Sequence, residues 1–469
     1  MSKQSTHTYA DFLASKHIRP KRNGFSVDAV NPKLFDWQQT VVRWALKCGR
    51  AALWEDCGLG KSFQQLEWAR HVVAKTGGKV LLLCPLAVGW QTIAESKKFG
   101  IECDVRAAAS NDEVCGSGIF VTNYEKLHLF KPERFDGVVL DESSCLKNFT
   151  GKTKRMLCER FVDTPYKLAC TATPAPNDRM ELGNHSEFLG IMPSAEMLQR
   201  WFINDGGKAG SYRLRMHGER EFWRWMASWA VCISSPADIG FSDVGYRLPP
   251  LKVVEHVVES QAEDGYLFAV PREISATEVH QEKRANLSAR ADVVAQLVNG
   301  DRDTWAVWCD TDYEADALMA RLTDAVEVRG SHSDKIKEER FRAFADGKIR
   351  VMVSKPGIAG HGLNWQHCHK TTWFAGYSYE NFYQALRRLL RFGQLHEVEC
   401  HLVRTTNEGS ICEVINRKQR QHVEMQCEMA GEMSEGMREE LGLGLKPVEY
   451  LPTVPMTIPA WLHTKGADV

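Results

Sequence analysis

The sequence predicts an α/β protein of two lobes, each a parallel sheet flanked by helices, with a mostly helical insertion between them. Three observations carry that prediction. Short apolar runs alternate with amphipathic stretches, the runs fall in two series separated by a gap of different character, and the chemically interesting polar residues sit just after the runs. The first series is KVLLLCP (79–85), GIFVTN (118–123), GVVLDE (137–142) and YKLACTAT (166–173). The second is TWAVWCD (304–310), AVEVRG (325–330), IRVMVSK (349–355), KTTWFAG (370–376) and VECHLVR (398–404). Runs this short and this continuously apolar suit strands buried on both faces, as in parallel sheets covered by helices on either side.

Taken in order, residues 1–33 form a polar, basic lead-in and 34–180 the first lobe. Residues 181–290 read as a helical insertion and linker: the stretch is rich in Arg and Trp (SYRLRMHGEREFWRWMASWA) and ends near LPPL (248–251), which interrupts regular structure. The second lobe is expected over 291–425, and a helix followed by a Pro-spaced tail, LPTVPMTIPAWL, over 426–469.

Composition excludes several classes. With 43% hydrophobic and 25% charged residues the 469-residue chain is neither disordered nor fibrous. The net charge is -1, from 59 basic and 60 acidic side chains, so a nucleic-acid ligand has to be held by local patches rather than by bulk charge. Two such patches stand out, one at Lys147, Lys152, Lys154 and Arg155, the other at Arg213, Arg215, Arg220 and Arg224; the second reads equally well as a solvated helix face. No two of the 14 cysteines form a CxxC pair, which argues against a zinc ribbon or dithiol site and for reduced thiols in a cytoplasm. No apolar run approaches about 18 residues, so no membrane span is expected.

The polar clusters at the strand ends are where ligands bind in open parallel sheets. WEDCGLGKS (54–62) is a Gly-rich turn before a helix, in which Gly58 and Gly60 let backbone N–H groups approach phosphate oxygens. Lys61 then reaches the β/γ-phosphates and the Ser62 hydroxyl a Mg²⁺ ion, although Glu55 stands where the usual loop has its first Gly. VVLDESS places Asp141 and Glu142 side by side, one suited to hold the metal and the other to orient and deprotonate the attacking water. An acidic strand end is also an ordinary helix start, and it is the company of the Gly-rich loop that favours the chemical reading. In QALRRLLRFGQ (384–394), Gln384, Arg388 and Arg391 fall at i, i+4 and i+7, on one face if the stretch is helical, where two guanidiniums suit a phosphate whose charge is spreading. The aromatic run WFAGYSYENFYQ (373–384) suits either base stacking or a core.

In their order, these motifs resemble the superfamily 2 helicases, in particular the Swi/Snf-like translocases and their compact, phage-type DEAD/DEAH-box relatives, over roughly 34–425. LFDWQQTVVRWAL (34–46) resembles the Q-motif, in which Gln38 reads adenine and Trp37 packs beside it. WEDCGLGKS resembles that branch's form of the loop, which also lacks the first Gly. CPLAVGWQ, with Pro85, and VTNYEKL, with Thr122 and Tyr124, resemble strand-contact motifs. DESSCLKN is similar to motif II, with Ser144 replacing the closing His or Asp; TATPAPN, with Thr171 and Thr173, is similar to motif III. GSHSDKIKEERFRAF places Arg340 at that segment's arginine, SKPGIAGHGLNW carries Ser354, Lys355 and Gly362 of motif V, and QALRRLLRFGQ resembles motif VI. LPPL matches the segment that precedes the second lobe, with Leu251 in place of Lys.

The resemblance implies two RecA-like lobes that close on ATP and Mg²⁺, hydrolysis stimulated by nucleic acid, and movement along DNA, with duplex favoured over single strands or RNA. An RNA helicase, a strand-separating DNA helicase and a nucleotide-gated binding switch remain open at this point. A protein partner is expected to dock through 181–290 or the tail.

Overall fold

The computed structural model describes residues 20–148, 151–175, 178–204, 212–244, 246, 248–259, 283–359, 363–374 and 378–443. Gly362 and the Pro-spaced tail lie outside the described residues. The first lobe begins with α1 (Asp36–Cys48), β1 (Arg50–Glu55) and α2 (Lys61–Thr76). It continues through β2 (Lys79–Cys84), α3 (Gly89–Phe99), β3 (Val105–Ala107), β4 (Gly118–Asn123), β5 (Gly137–Asp141), α4 (Lys152–Arg160) and β6 (Tyr166–Thr171). After these come α5 (Leu182–Leu189), α6 (Ser194–Trp201), the hairpin β7 (Phe202–Asn204) and β8 (Tyr212–Leu214), α7 (Glu219–Ala227) and β9 (Ala230–Ile233). A seven-stranded sheet in the order β3-β4-β2-β5-β6-β1-β9 results, with every pairing parallel.

The second lobe is a six-stranded parallel sheet, β10-β15-β14-β11-β13-β12. Its elements are β10 (Leu251–Val258), α8 (Leu287–Asn299), β11 (Trp305–Trp308), α9 (Asp312–Met319), β12 (Ala325–Val328) and α10 (Asp334–Ala345). They end with β13 (Val351–Ser354), the single turn α11 (Pro356–Ala359), β14 (Lys370–Phe374), α12 (Tyr379–Leu386) and β15 (Val398–Thr405). One helix, α13 (Gly409–Glu440), then runs from the end of β15 back onto the first lobe.

Local chemistry explains the elements. The central strands are uniformly buried, as their unbroken apolar runs require. Helix α1 stops at Gly49, whose φ of 76° returns its N–H to the Ala45 carbonyl. Helix α9 opens on a reciprocal Thr311–Glu314 capping box.

The stretch 181–290 is not a body apart in its described portion. It holds helices, but β9 completes the first sheet beside β1 and β10 completes the second beside β15. The expected division at 425/426 falls inside α13. Met429, Met433 and Met437, one helical turn apart, bury that helix in the first lobe's core, so a sequence segment following the second lobe is packed as part of the first.

Candidate functional site

The Gly-rich loop leaves the end of β1 and enters α2 through Gly60, whose φ is 84°. Gly58, with φ 89°, is approached so closely by the second lobe that an added Cβ would lie 2.7 Å from the Phe392 amide nitrogen. A Cβ on Gly60 would collide with the Gln38 amide. The loop is therefore pressed between α1 and the segment after α12, and both glycines are required by space as well as by backbone angle. Lys61 Nζ donates to the carbonyls of Glu55 at 2.7 Å and Asp56 at 3.1 Å, at the N-terminus of α2 where backbone N–H groups are free for an anion.

β5 lies two strands from β1, separated by β6, and ends in the acid pair. Asp141 and Glu142 are both buried, and burial first, then the adjacent Glu142, push the Asp141 carboxyl well above the usual carboxylate range. Glu142 holds φ 58°, a conformation disfavoured for a residue with a Cβ and maintained only where its surroundings dictate it. One of those surroundings is Thr171. Its hydroxyl accepts the Thr173 N–H at 3.1 Å and donates to Glu142 Oε2 at 3.3 Å, joining the end of β6 to the end of β5. Tyr124 adds a second tie, donating to the Asp141 carbonyl at 2.7 Å.

The opposite wall comes from the second lobe. Arg388 is buried; its Nε and Nη2 donate to the carbonyl and side-chain oxygen of Gln384, both at 2.9 Å, and its Nη1 to the Leu363 carbonyl at 3.1 Å. Arg391 donates to the same Leu363 carbonyl at 3.0 Å. Burial, then the neighbouring Arg388, lower the Arg391 guanidinium from its ordinary value. Neither arginine has a carboxylate partner within salt-bridge distance among the described residues. Arg387, between them and Gln384 in sequence, is spent differently: its Nη2 pairs with Asp56 at 2.9 Å, and the Tyr383 hydroxyl donates to the other Asp56 oxygen at 2.7 Å.

A small cleft results, lined by Gly58, Gly60, Lys61, Ser62, Asp141 and Glu142 on one side and Arg387, Arg388 and Arg391 on the other. Lys61, Ser62, Asp141, Glu142, Arg388 and Arg391 are thus brought together. The single helical face expected for Gln384, Arg388 and Arg391 is not formed. α12 ends at Leu386 and the chain tightens, with Arg388 N bonded to the Ala385 carbonyl and Leu389 N to the Leu386 carbonyl. That turn lets both guanidiniums converge on one carbonyl instead of lying a helical turn apart. Gln384 is buried behind Arg388 and orients it rather than lining the cleft.

Gln38 is engaged at both ends of its amide: Oε1 accepts the Phe35 N–H at 3.0 Å and Nε2 donates to the Leu59 carbonyl at 2.8 Å. It braces the Gly-rich loop against the start of α1. Trp37 is buried, and its Nε1 donates to Tyr246 Oη at 2.9 Å within an aromatic group that includes Phe35 and Phe392.

The remaining candidates divide between places. Pro85 and Tyr124 line a second inter-lobe cavity of about 440 Å³, faced by Asp334, Lys337 and Phe341 of α10 and by Gly357. Thr122 is buried at the end of β4, and Ser354, at the end of β13, donates to the Val328 carbonyl at 3.0 Å. Lys355 pairs with Asp312 within the second lobe, and Thr173 is buried in the loop after β6. Several cations of the basic patches are occupied: Lys154 pairs with Glu187, Arg155 with Glu159 and Arg220 with Glu435, and Arg215 donates to the carbonyls of Phe202 and Gln199. In the aromatic run, Trp373, Phe374, Phe382 and Tyr383 are core residues, and 375–377 lie outside the described residues.

Sequence reasoning passed over Asp56, Tyr383 and Arg387, whose contact joins the lobes. It also passed over His185, whose Nε2 meets the Pro174 carbonyl at 3.1 Å, and read Glu55 only as the residue in place of the loop's first Gly. Glu55 is fully buried with Gln64 donating to it at 2.7 Å; burial raises its carboxyl to about 7 against Lys61 and Gln64. A carboxylate inside an otherwise apolar strand (AALWE) was the available signal for Glu55; for an inter-lobe contact no local signal exists.

Two helix-flanked parallel sheets, with a Gly-rich loop and an acid pair on one facing arginines from the other, have the architecture of proteins with two RecA-like lobes. The chain is 28% identical over 161 residues to the SWI/SNF-related matrix-associated actin-dependent regulator of chromatin subfamily A-like protein 1 homolog of Caenorhabditis elegans. That match covers 32% of this chain and 23% of the relative, and it supports a distant relationship to SWI/SNF-related proteins. No protein-family model matches the chain. Among the described residues no helix is long and apolar enough to cross a membrane.

Proposed function

We propose that the protein is a Mg²⁺-dependent ATPase, stimulated by nucleic acid, that couples lobe closure and reopening to translocation along DNA, duplex in preference to single strands or RNA. One observation carries the reading. Arg388 and Arg391 are held in the cleft by neutral partners, so their charge is uncompensated within the described residues, directly opposite Lys61 and the acid pair. An anion that gains negative charge during reaction fits between them. The similarity to a SWI/SNF-related protein supports a nucleic-acid-dependent ATPase of the helicase-like kind.

The residues fit a divalent cation. Asp141 is a buried carboxyl destabilised as an anion by its surroundings, and the Ser62 hydroxyl lines the same cleft. Asp141 and Ser62 would hold the ion together with substrate phosphates. When bound, Mg²⁺ supplies charge neutralisation at the β- and γ-phosphates.

The chain's own groups then divide the work. The Gly58–Gly60 turn and Lys61 hold the phosphates. Glu142, aimed by Thr171, orients water and accepts its proton. Arg388 and Arg391 stabilise charge on the transferred phosphoryl group. The second cavity lies where Pro85 and Tyr124 face α10, and we assign the nucleic-acid track to it. Lys337 stands there among Glu125, Asp334 and Glu338, so this wall carries no run of cations.

The test is steady-state ATP hydrolysis with no nucleic acid, single-stranded DNA, duplex DNA and RNA, with Lys61→Ala as control, beside triplex-displacement and strand-displacement assays. Stimulation by duplex DNA with triplex displacement is expected. Stimulation by RNA alone moves the protein to RNA, strand displacement makes it an unwinding enzyme, and hydrolysis indifferent to all of them makes it a switch.

A further inference from the structure

The loop that aims Glu142 is itself gripped from two sides. Thr171 Oγ1 accepts the Thr173 N–H, so its single proton goes to Glu142 Oε2, and the set of the 171–174 turn decides whether that bond is made. On one side of this turn, His185 of α5 holds the Pro174 carbonyl at 3.1 Å. On the other, Gln426 of α13 donates through Nε2 to the Ala172 carbonyl at 3.0 Å.

Helix α13 is anchored in both lobes. At its start Glu408 is fully buried in the second lobe, accepting the Thr405 N–H at 2.9 Å and lying 3.7 Å from Arg290, which is also fully buried and pairs with Glu314. At its far end Met429, Met433 and Met437 sit in the first lobe's core, and the Ser434 hydroxyl donates to the Asp238 carbonyl at 2.9 Å. Gln426 stands at the point where the helix reaches the first lobe, beside an ion pair of Glu428 with Arg179. From Glu408 to Gln426 the helix rises roughly 27 Å without interruption. The helix is thus a continuous connection from the second lobe to the Ala172 carbonyl.

We propose that Gln426 is a positioning residue for hydrolysis: through the Ala172 carbonyl it sets the Thr171–Glu142 contact, and through α13 it ties that contact to the second lobe. The inference rests on the ATPase reading above. It makes the hydrolytic step, rather than ATP binding, the quantity that α13 controls, because Gln426 touches neither the Gly-rich loop nor the arginines.

The experiment compares the full-length wild-type protein with Gln426→Glu, which keeps size and helix propensity but replaces the donor with a carboxylate, and with Gln426→Arg, which restores an N–H donor. The readouts are kcat and KM for ATP at saturating duplex DNA, and thermal melting. Gln426→Glu is expected to lower kcat by about 10- to 100-fold, the scale of a small misplacement of a catalytic group, with KM for ATP and the melting midpoint unchanged. Gln426→Arg is expected to recover most of kcat. Unchanged kcat in Gln426→Glu overturns the proposal, as does a loss that follows the melting midpoint or that Gln426→Arg fails to relieve. Lys61→Ala separates the two levels. A wild-type protein that hydrolyses ATP no faster than this control overturns the ATPase reading and the proposal with it, whereas a clear difference leaves the reading standing whatever Gln426 does.

Discussion

On the first-lobe wall of the cleft, charge is packed against charge. Lys61 rises beneath Glu55 and beside Asp141 and Glu142, the acids are buried at a strand end, and the Glu142 backbone is held at φ 58°. On the second-lobe wall, Arg388 and Arg391 are held by the Leu363 and Gln384 carbonyls and the Gln384 side-chain amide, while the adjacent Arg387 is consumed by Asp56 across the gap. In the proposed function the first wall holds the phosphate chain and its ion. The second adds positive charge that is useful only when a substrate is present and the lobes are together. Binding should therefore belong to the first wall and turnover to both.

Substitutions at each wall put that division to its strongest test. Lys61→Ala is expected to abolish turnover together with nucleotide affinity. Glu142→Gln and Arg391→Ala are expected to lower turnover by roughly 10³-fold or more while nucleotide still binds. Steady-state hydrolysis beside fluorescent-nucleotide titration measures both quantities. Parallel loss of affinity in Arg391→Ala would erase the distinction between the walls.

The same division governs what was legible in the sequence. The first wall is built from contiguous residues at strand ends, so WEDCGLGKS and VVLDESS announce both its members and their placement. The second wall was legible in composition but not in shape. QALRRLLRFGQ has helical spacing throughout, yet the helix stops at Leu386, and the turn that follows brings both guanidiniums to the Leu363 carbonyl. Contacts between distant segments left no local trace. The Asp56–Arg387 pair and the Gln426–Ala172 bond follow only from how the lobes and α13 pack. Likewise β10 alternates exposed and half-buried residues at a sheet edge, and β9 is a four-residue run inside a Trp-rich stretch, so both strands were absorbed into an expected insertion.

His185 tests whether the first wall is as fixed as the comparison requires. Burial lowers its imidazole from 6.5 to about 4, so it is neutral where it packs against Trp54 and meets Pro174. Between those two values the unfolded chain binds a proton at this position and the folded chain does not, so stability falls as pH falls through the window. Glu55 works in the opposite sense: its folded form holds a proton up to about 7 against 4.5 unfolded, so its contribution is lost as pH rises. Asp141, also raised, shares Glu55's sign. In His185→Gln the opposing contribution disappears. Relative to the wild type, the variant should therefore gain about 2 kcal/mol of stability between pH 7 and 5, read from denaturant unfolding at each pH. Identical pH profiles would mean that water reaches His185 and that the loop after β6 is less firmly held than the geometry indicates.

The smallest effect belongs to the contact between the walls. Asp56 receives both the Arg387 guanidinium and the Tyr383 hydroxyl, and all three side chains are largely buried. Removing one member leaves another uncompensated, so Asp56→Asn and Arg387→Gln should each destabilise more than the pair is worth. The double variant isolates that worth, and a coupling of about 1 kcal/mol is expected for residues in direct contact. Small-angle scattering then distinguishes what the coupling does. If each single variant increases the radius of gyration, the pair holds the lobes together, and the uncompensated charge of Arg388 and Arg391 is presented to substrate by a preformed contact. If the effects are additive and the dimensions unchanged, juxtaposition rests instead on α13 and on the close approach of Phe392 to Gly58. The second wall would then be positioned from a distance, as the loop after β6 is.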